Sequence, residues 1–106
     1  MIQNIAGVDN IAIAQQVGSD NYISQSLNGS NNYSYARQEG FGNTITHVAN
    51  GANNTLISSQ FGNQNSANIE LNGNGNSVTT TQTGNNLSYA LTFNGNNRDI
   101  TVTQTR

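Results

Sequence analysis

Residues 38–60 read QEGFGNTITHVANGANNTLISSQ and contain one full period of the repeat that decides the fold. Within this stretch Gly40 and Gly51 are eleven residues apart, and glycine recurs at that spacing along the whole chain, at Gly7, Gly18, Gly29, Gly40, Gly51, Gly62, Gly73, Gly84 and Gly95. A fixed period over the full length is typical of a solenoid, in which each unit buries its apolar face only against its neighbours.

The residue two places before each of these glycines alternates between two types, so the true period is 22 residues. One class of half-repeat has glutamine there and the other an apolar residue: Gln16, Gln38, Gln60, Gln82 and Gln104, against Ile5, Leu27, Ala49, Leu71 and Phe93. Between the glycines, two kinds of residue alternate for seven positions, as in a strand with two different faces. We therefore predict an all-β fold: a two-sheet parallel β-solenoid of five 22-residue rungs with two strands each, forming a single domain over residues 1–106.

Like residues that recur every 22 positions stack in columns in such a solenoid. We expect the five glutamines to form a ladder of hydrogen-bonded amides, and asparagines three places after the glycines to do the same at the rung corners. These asparagines are Asn10, Asn21, Asn32, Asn43, Asn54, Asn65 and Asn76. The glycines are expected in the turns, because pairs such as Asn50–Gly51 accept positive φ at low cost. Hairpins are the alternative, but they would pair unlike half-repeats.

Composition excludes several classes of function. Only 33% of the residues are apolar, 30 are Asn or Gln, and the net charge is −2 with no lysine. Such a chain has no basic surface for nucleic acid and no apolar run near the roughly 20 residues of a membrane helix. We therefore expect neither a nucleic-acid partner nor membrane insertion. No signal peptide is recognisable in the sequence.

Catalytic and metal-binding patterns are missing as well. The five acidic residues share no position of the 22-residue repeat, which disfavours a calcium-binding β-roll, and the chain has no cysteine. His47, the single histidine, is predicted to point inward between Ile45 and Ala49. We interpret it as a buried, neutral, hydrogen-bonded imidazole, with a pH-sensitive position as the alternative. No cofactor, metal or catalytic residue is predicted, and the chain is not expected to be an enzyme.

Residues 16–21 (QVGSDN), 38–43 (QEGFGN) and 60–65 (QFGNQN) resemble the curlin repeat, Gln-x-Gly-x-x-Asn between two alternating strands. Residues 82–87 (QTGNNL) differ only at the last position. The resemblance implies a subunit of curli, the secreted amyloid fibre of bacterial biofilms, which polymerises end to end and has a nucleating homologue and secretion factors as partners. Family repeats usually carry a second glutamine where this chain has Leu27, Ala49, Leu71 and Phe93. Five near-equal rungs favour the major subunit over the nucleator.

The two ends of the predicted stack lack proline and abundant charge, the usual protection of an open strand edge. We predict that the last rung of one molecule continues into the first rung of the next. Such a contact does not close, and so yields filaments. The expected interface residues are Ile5, Ala14 and Gln16 at one end, and Phe93, Val102 and Gln104 at the other. We expect Ala14 and Val102 each to offer a backbone donor at an open end, which proline would remove.

Two other functions compete with the fibre. An ice-binding solenoid needs a flat array of outward threonines, but the predicted outward columns are mixed. One of these columns contains Ile13, Tyr35, Ile57, Thr79 and Thr101. A monomeric adhesin or fibre module is disfavoured by the lack of polar caps.

Overall fold

The computed structural model describes all 106 residues, and its regular structure consists of ten strands. Every half-repeat forms one strand, as the alternation predicts. The strands are β1 (Ile2–Val8), β2 (Ile11–Ser19), β3 (Tyr22–Ser30), β4 (Tyr33–Phe41), β5 (Thr44–Ala52), β6 (Thr55–Asn63), β7 (Ser66–Asn72), β8 (Ser77–Asn85), β9 (Ser88–Asn94) and β10 (Asp99–Thr105).

The odd and even strands form two separate five-stranded sheets. Sheet A has the order β1-β3-β5-β7-β9, and sheet B has the order β10-β8-β6-β4-β2. All pairings are parallel with an offset of 22 residues, so that Ile23 pairs with Ile45 and Gln38 with Gln60. Each rung therefore consists of one odd strand and the next even strand, rung 1 being β1 and β2. The predicted parallel two-sheet solenoid is confirmed, and successive strands do not form hairpins.

The core lies between the two sheets and is thin. The Cα atoms span 33 × 23 × 13 Å, and inward residues of the middle rungs, such as Leu27, Leu56 and Ile69, are fully buried. The equivalent residues of rungs 1 and 5 remain partly or largely exposed, because each outer rung has a neighbour on one side only. The core is therefore open at both ends of the stack.

The sharp turns differ from those we expected. Most of the repeating glycines lie within strands, and their φ angles fall between 111° and 151°. The left-handed turn residue comes two positions later, with φ between 57° and 71°. This second column also repeats every eleven residues and includes the two glycines that lie outside the main series: Asp9, Asp20, Asn31, Gly42, Asn53, Gln64, Gly75, Asn86 and Asn97. Asn and Asp are the non-glycine residues that best tolerate this conformation.

The main glycine column is required by the stacking of the rungs. A Cβ placed on Gly51 would overlap the carbonyl oxygen of Gly73, one rung further on. The same overlap recurs at the other rungs up to Gly73 itself, which faces Gly95. Glycine therefore allows the bent backbone of each rung to approach the next rung, in addition to its positive φ.

Candidate assembly interface

A continuous glutamine ladder runs through sheet B along the solenoid axis. Each Nε2 donates to the Oε1 of the glutamine one rung further on, at 3.1, 2.9, 2.7 and 2.7 Å from Gln16 to Gln104. Gln38, Gln60 and Gln82 are fully buried. Each of these three also donates to a backbone carbonyl of sheet A, as Gln60 does to Thr44 at 3.0 Å. The ladder therefore joins the rungs to each other and the two sheets to one another.

The ladder has a direction, because every side-chain donor points toward rung 5. At the rung-1 end, the Oε1 of Gln16 accepts no hydrogen bond within the chain. At the rung-5 end, Gln104 uses one Nε2 hydrogen on the carbonyl of Ser88 at 3.2 Å and has a second hydrogen free. One end thus presents an open acceptor and the other an open donor, in the same column.

The asparagine columns are bonded differently from our expectation of amide ladders. The Oδ1 of Asn32 accepts the backbone N–H of Asn54 at 3.0 Å, and its Nδ2 donates to the carbonyl of Gly51 at 2.9 Å. Asn43 makes the same two contacts, with Asn65 and Gly62. The asparagine side chain is one methylene shorter than that of glutamine, so its amide stays beside the backbone. It therefore binds the next rung's main chain rather than the next side chain.

A second amide ladder lies on the outer surface of sheet A and was missed by the sequence analysis. Asn50 donates to Asn72, and Asn72 to Asn94, both at 2.8 Å, while Asn28 lies 3.5 Å from Asn50. We had assigned these residues only to Asn-Gly turns. Their 22-residue spacing was the signal that would have identified the ladder.

His47 belongs to a chain of inward polar side chains that links rungs 1 to 3 and is buried beyond Gln3. Gln3 donates to Gln25 at 2.9 Å, and Gln25 donates to the Oγ of Ser34 at 2.8 Å. The imidazole lies between two serine hydroxyls, with Nδ1 2.8 Å from Ser34 and Nε2 2.6 Å from Ser58. The inward residues of the four strands packed against β5 are all uncharged, since Arg37, Glu39 and Glu70 alternate outward. Burial lowers the pKa of His47 to about 3, as expected for a neutral imidazole.

Acid should destabilise the fold through His47. Its pKa is 6.5 in the unfolded chain and about 3 in the folded one, so between these values the unfolded state binds more protons. The free energy of unfolding should therefore fall as the pH drops below 6.5, by up to about 1.4 kcal/mol per pH unit. We expect a loss of roughly 3 kcal/mol from this group by pH 4. Urea unfolding at pH 7 and pH 4 measures the loss, and His47→Gln should remove most of it. An equal loss in that variant would contradict the assignment.

Thr80 carries the one buried side-chain polar atom that has no hydrogen-bond partner. It stacks between Ser58 and Val102 in an inward column of sheet B. Thr80→Val keeps the branched shape and removes the unpaired hydroxyl, so we expect the free energy of unfolding to rise by about 1–3 kcal/mol. The outward Thr79→Val serves as the control and should change it by less than about 0.5 kcal/mol. A Thr80→Val variant less stable than the parent would contradict the prediction.

The structure places the predicted interface residues at opposite ends of the molecule. Ile5 is 46% exposed at the rung-1 end, together with Ala14 and Gln16. Phe93, Val102 and Gln104 lie at the rung-5 end, where each is half-buried. The residues in the same columns of the middle rungs are fully buried, for example Ala49, Ala36 and Gln60. Each end is thus an open cross-section of the core.

The hydrogen-bonding direction of each edge residue can be read from its neighbours. In sheet B, Tyr33 donates its N–H toward the following rung, and Arg106 donates toward the preceding rung, to Thr83. Because these directions alternate along a parallel strand, the N–H of Ala14 points out of the rung-1 end. The N–H of Val102 points inward to β8, whereas that of Thr103 is open. Val102 therefore offers no backbone donor to a further rung, contrary to our expectation.

The structure has no pocket and no group of three acidic, histidine or cysteine residues placed to hold a metal ion. None of the chain forms an apolar helix of membrane-spanning length. Comparisons with known protein families, with curated proteins and with solved structures find no match to this chain.

Proposed function

We propose that this protein is the structural subunit of an extracellular fibre, and that it polymerises by stacking the rung-5 end of one molecule on the rung-1 end of the next. The observation that carries the proposal is the matched polarity of the glutamine ladder. The free Nε2 hydrogen of Gln104 lies in the same column as the open Oε1 of Gln16. A contact between these ends repeats the internal 22-residue offset and does not close, so it generates a filament.

The two open ends also supply the energy for such a contact. Adjacent rungs within the molecule pair over seven to nine residues in each sheet. A junction with the same geometry adds two parallel strand pairings and buries inward side chains such as Ile5 and Phe93. Edge strands with unpaired backbone groups and little charge are ready templates for this kind of association.

The resemblance of residues 16–21, 38–43 and 60–65 to the curlin repeat supports the same reading. It suggests a curli-like functional amyloid at the cell surface, which serves the biofilm matrix and surface adhesion. On this proposal the main partner is a second copy of the chain, with a nucleating homologue and secretion factors as further partners. The protein is then a structural component with no enzymatic role.

Ice binding is the second candidate, and one observation favours it. On the outer face of sheet B, three threonines of rung 4 pair in register with three of rung 5: Thr79, Thr81 and Thr83 with Thr101, Thr103 and Thr105. Rungs 1 to 3 carry no threonine in these three columns, so the array covers two rungs of five. Thermal hysteresis of the monomer tests this candidate.

Proline at an open edge tests the fibre proposal. Ala14→Pro removes a donor at the rung-1 end, and Thr103→Pro removes one at the rung-5 end, while both leave the internal ladder intact. Edge positions tolerate proline, so we expect folded monomers that elongate far more slowly than the parent. Thioflavin fluorescence and electron microscopy measure elongation, and circular dichroism reports the fold.

Ala14→Ser and Thr103→Val keep the backbone N–H and are the matched controls. Each should elongate much as the parent does. If the proline variants are folded and elongate as fast as their controls, end-to-end stacking is wrong. If the parent chain stays monomeric at high concentration, the fibre proposal is wrong and a capped binding module becomes the better interpretation.

A further inference from the structure

The outer surface of sheet B is divided into an apolar part and a threonine part. Rungs 4 and 5 carry the six threonines described above. On the same outer surface rungs 1 to 3 carry seven apolar side chains, which we call the apolar face: Ile11, Ile13, Val17, Tyr33, Tyr35, Ile57 and Phe61. Its rung-1 members are the most exposed, with Ile11 at 52% and Val17 at 59%, partly because rung 1 has a neighbour on one side only, and the members in rungs 2 and 3 are half-buried. Five of these side chains lie side by side in two columns, and the polar column of Gln15, Arg37 and Ser59 separates them from Val17 and Phe61. A group of exposed apolar side chains of this kind is a candidate interaction site.

Stacking the molecules end to end does not cover the apolar face. Its side chains point away from the core, perpendicular to the solenoid axis, whereas the junction lies across the axis. In a filament, the face would remain exposed on one side and would recur once per molecule, about every 24 Å for five rungs of about 4.8 Å. A second binding event is needed to bury it.

The charges on this face point to a second copy as its occupant. Arg37 and Glu39 lie two residues apart on β4, in the middle of the apolar face, with Nη2 and Oε2 3.2 Å apart. Their side chains are 44% and 49% exposed. A two-fold axis that lies in the plane between two facing copies, parallel to the solenoid axis and level with the midpoint between Arg37 and Glu39, would place Arg37 of each copy opposite Glu39 of the other. The face is thus self-complementary in charge, as an isologous contact requires.

The size of the face decides when pairing occurs. Three rungs of about 4.8 Å by six residues of about 3.3 Å give a footprint of roughly 300 Å² per molecule, well below the roughly 800 Å² per partner of a stable interface. Two monomers should therefore not pair measurably. Two filaments repeat the contact with every subunit, so its strength multiplies with their length.

We propose that the apolar face is the lateral contact by which two filaments of this protein pair, parallel and face to face. The inference rests on the proposed fibre function, since only a filament repeats the contact. Ile13→Thr/Tyr35→Thr/Ile57→Thr tests it, because it extends along one column the residue already present at Thr79 and Thr101. The matched control changes three outward apolar residues of sheet A, as Ile2→Thr/Tyr22→Thr/Val48→Thr.

We expect the sheet B variant to elongate normally into filaments that stay single in electron micrographs, while the sheet A variant pairs like the parent. Pairing by the sheet B variant, or its loss in both variants, overturns the inference. Parent filaments that form and stay single overturn it too, without touching the proposed function. A parent chain that forms no filament overturns both.

The charge arrangement has a test of its own. Arg37→Glu places two acidic residues on the face, and Glu39→Arg places two basic ones. Preformed filaments of either variant alone should fail to pair, because like charges would oppose each other across the two-fold axis. Mixed together, the two kinds should pair with each other. Failure of the mixture to pair, or pairing of each variant with itself, contradicts the two-fold arrangement.

Discussion

Gly51→Ala is expected to destabilise the solenoid by at least about 3 kcal/mol, a large part of the 5–15 kcal/mol that holds a typical domain together. The φ of Gly51 is 128°, which costs a residue with a Cβ about 1–3 kcal/mol. The new Cβ would also overlap the carbonyl oxygen of Gly73 in the next rung. Relief of that overlap must move rungs 3 and 4 apart and weaken their strand pairing. Urea unfolding followed by circular dichroism measures the loss, and valine should be worse than alanine.

Gly42→Asn is the matched control, because it tests a glycine of the other column. Gly42 has a φ of 66°, and a Cβ there has its nearest contact at 3.5 Å, with the Cγ of Gln64. Asparagine already occupies the equivalent positions Asn31 and Asn53 with nearly the same φ. We therefore expect Gly42→Asn to fold with nearly unchanged stability. If Gly51→Ala is as stable as Gly42→Asn, close approach between rungs is not what requires glycine.

Replacing Gln38, Gln60 and Gln82 together by leucine should have the second large effect. The volume is nearly kept, but the buried amide ladder is deleted, and the partner groups left unpaired cost roughly 1–3 kcal/mol at each position. These partners include the sheet A carbonyls of Tyr22 and Thr44. We expect a large fall in the urea midpoint. Fibre assembly should also be slower, because Gln16 and Gln104 at the junction would no longer be held by their neighbours in the ladder.

The outer amide ladder provides the control for this triple variant. Asn28, Asn50 and Asn72 also form side-chain hydrogen bonds along the axis, but they lie where water can replace a lost partner. Their replacement by leucine should therefore cost much less per position. Equal losses from the two triple variants would show that burial of the glutamines is not what makes their ladder important.

Much of this fold could be predicted because the sequence repeats with a fixed period of 22 residues. The 22-residue spacing of Gln38 and Gln60 is enough to stack them in parallel register, whatever the details of the turns. The role of Gly51 could not be read in the same way, since the group that excludes a Cβ belongs to another rung. The eleven-residue spacing of Asp9, Asp20 and Asn31 would have revealed the turn column, but the two glycines outside the main series concealed it.

The candidate interface was predictable only in part, for a related reason. Period alone places Gln16 and Gln104 in one column at opposite ends. The Nε2 of each buried glutamine in this column also donates to a backbone carbonyl of the facing sheet. The position of that carbonyl sets the direction of the ladder, and it is a property of the folded backbone. The same holds for Val102, whose column was predicted but whose N–H points into the molecule. The hydrogen-bond partners of His47, Ser34 and Ser58, come from two strands of the facing sheet, so no local sequence pattern predicts them.

The axial repeat of the fibre tests the central claim most directly. If molecules stack end to end as intact solenoids, fibre diffraction should show the layer spacing of about 4.8 Å together with a subunit repeat of about 24 Å, since each molecule contributes five layers. Scanning transmission microscopy should then find one 11.3 kDa chain per subunit repeat in a single filament. A fibre with one chain per 4.8 Å layer would mean that the solenoid refolds on assembly, and it would contradict the account.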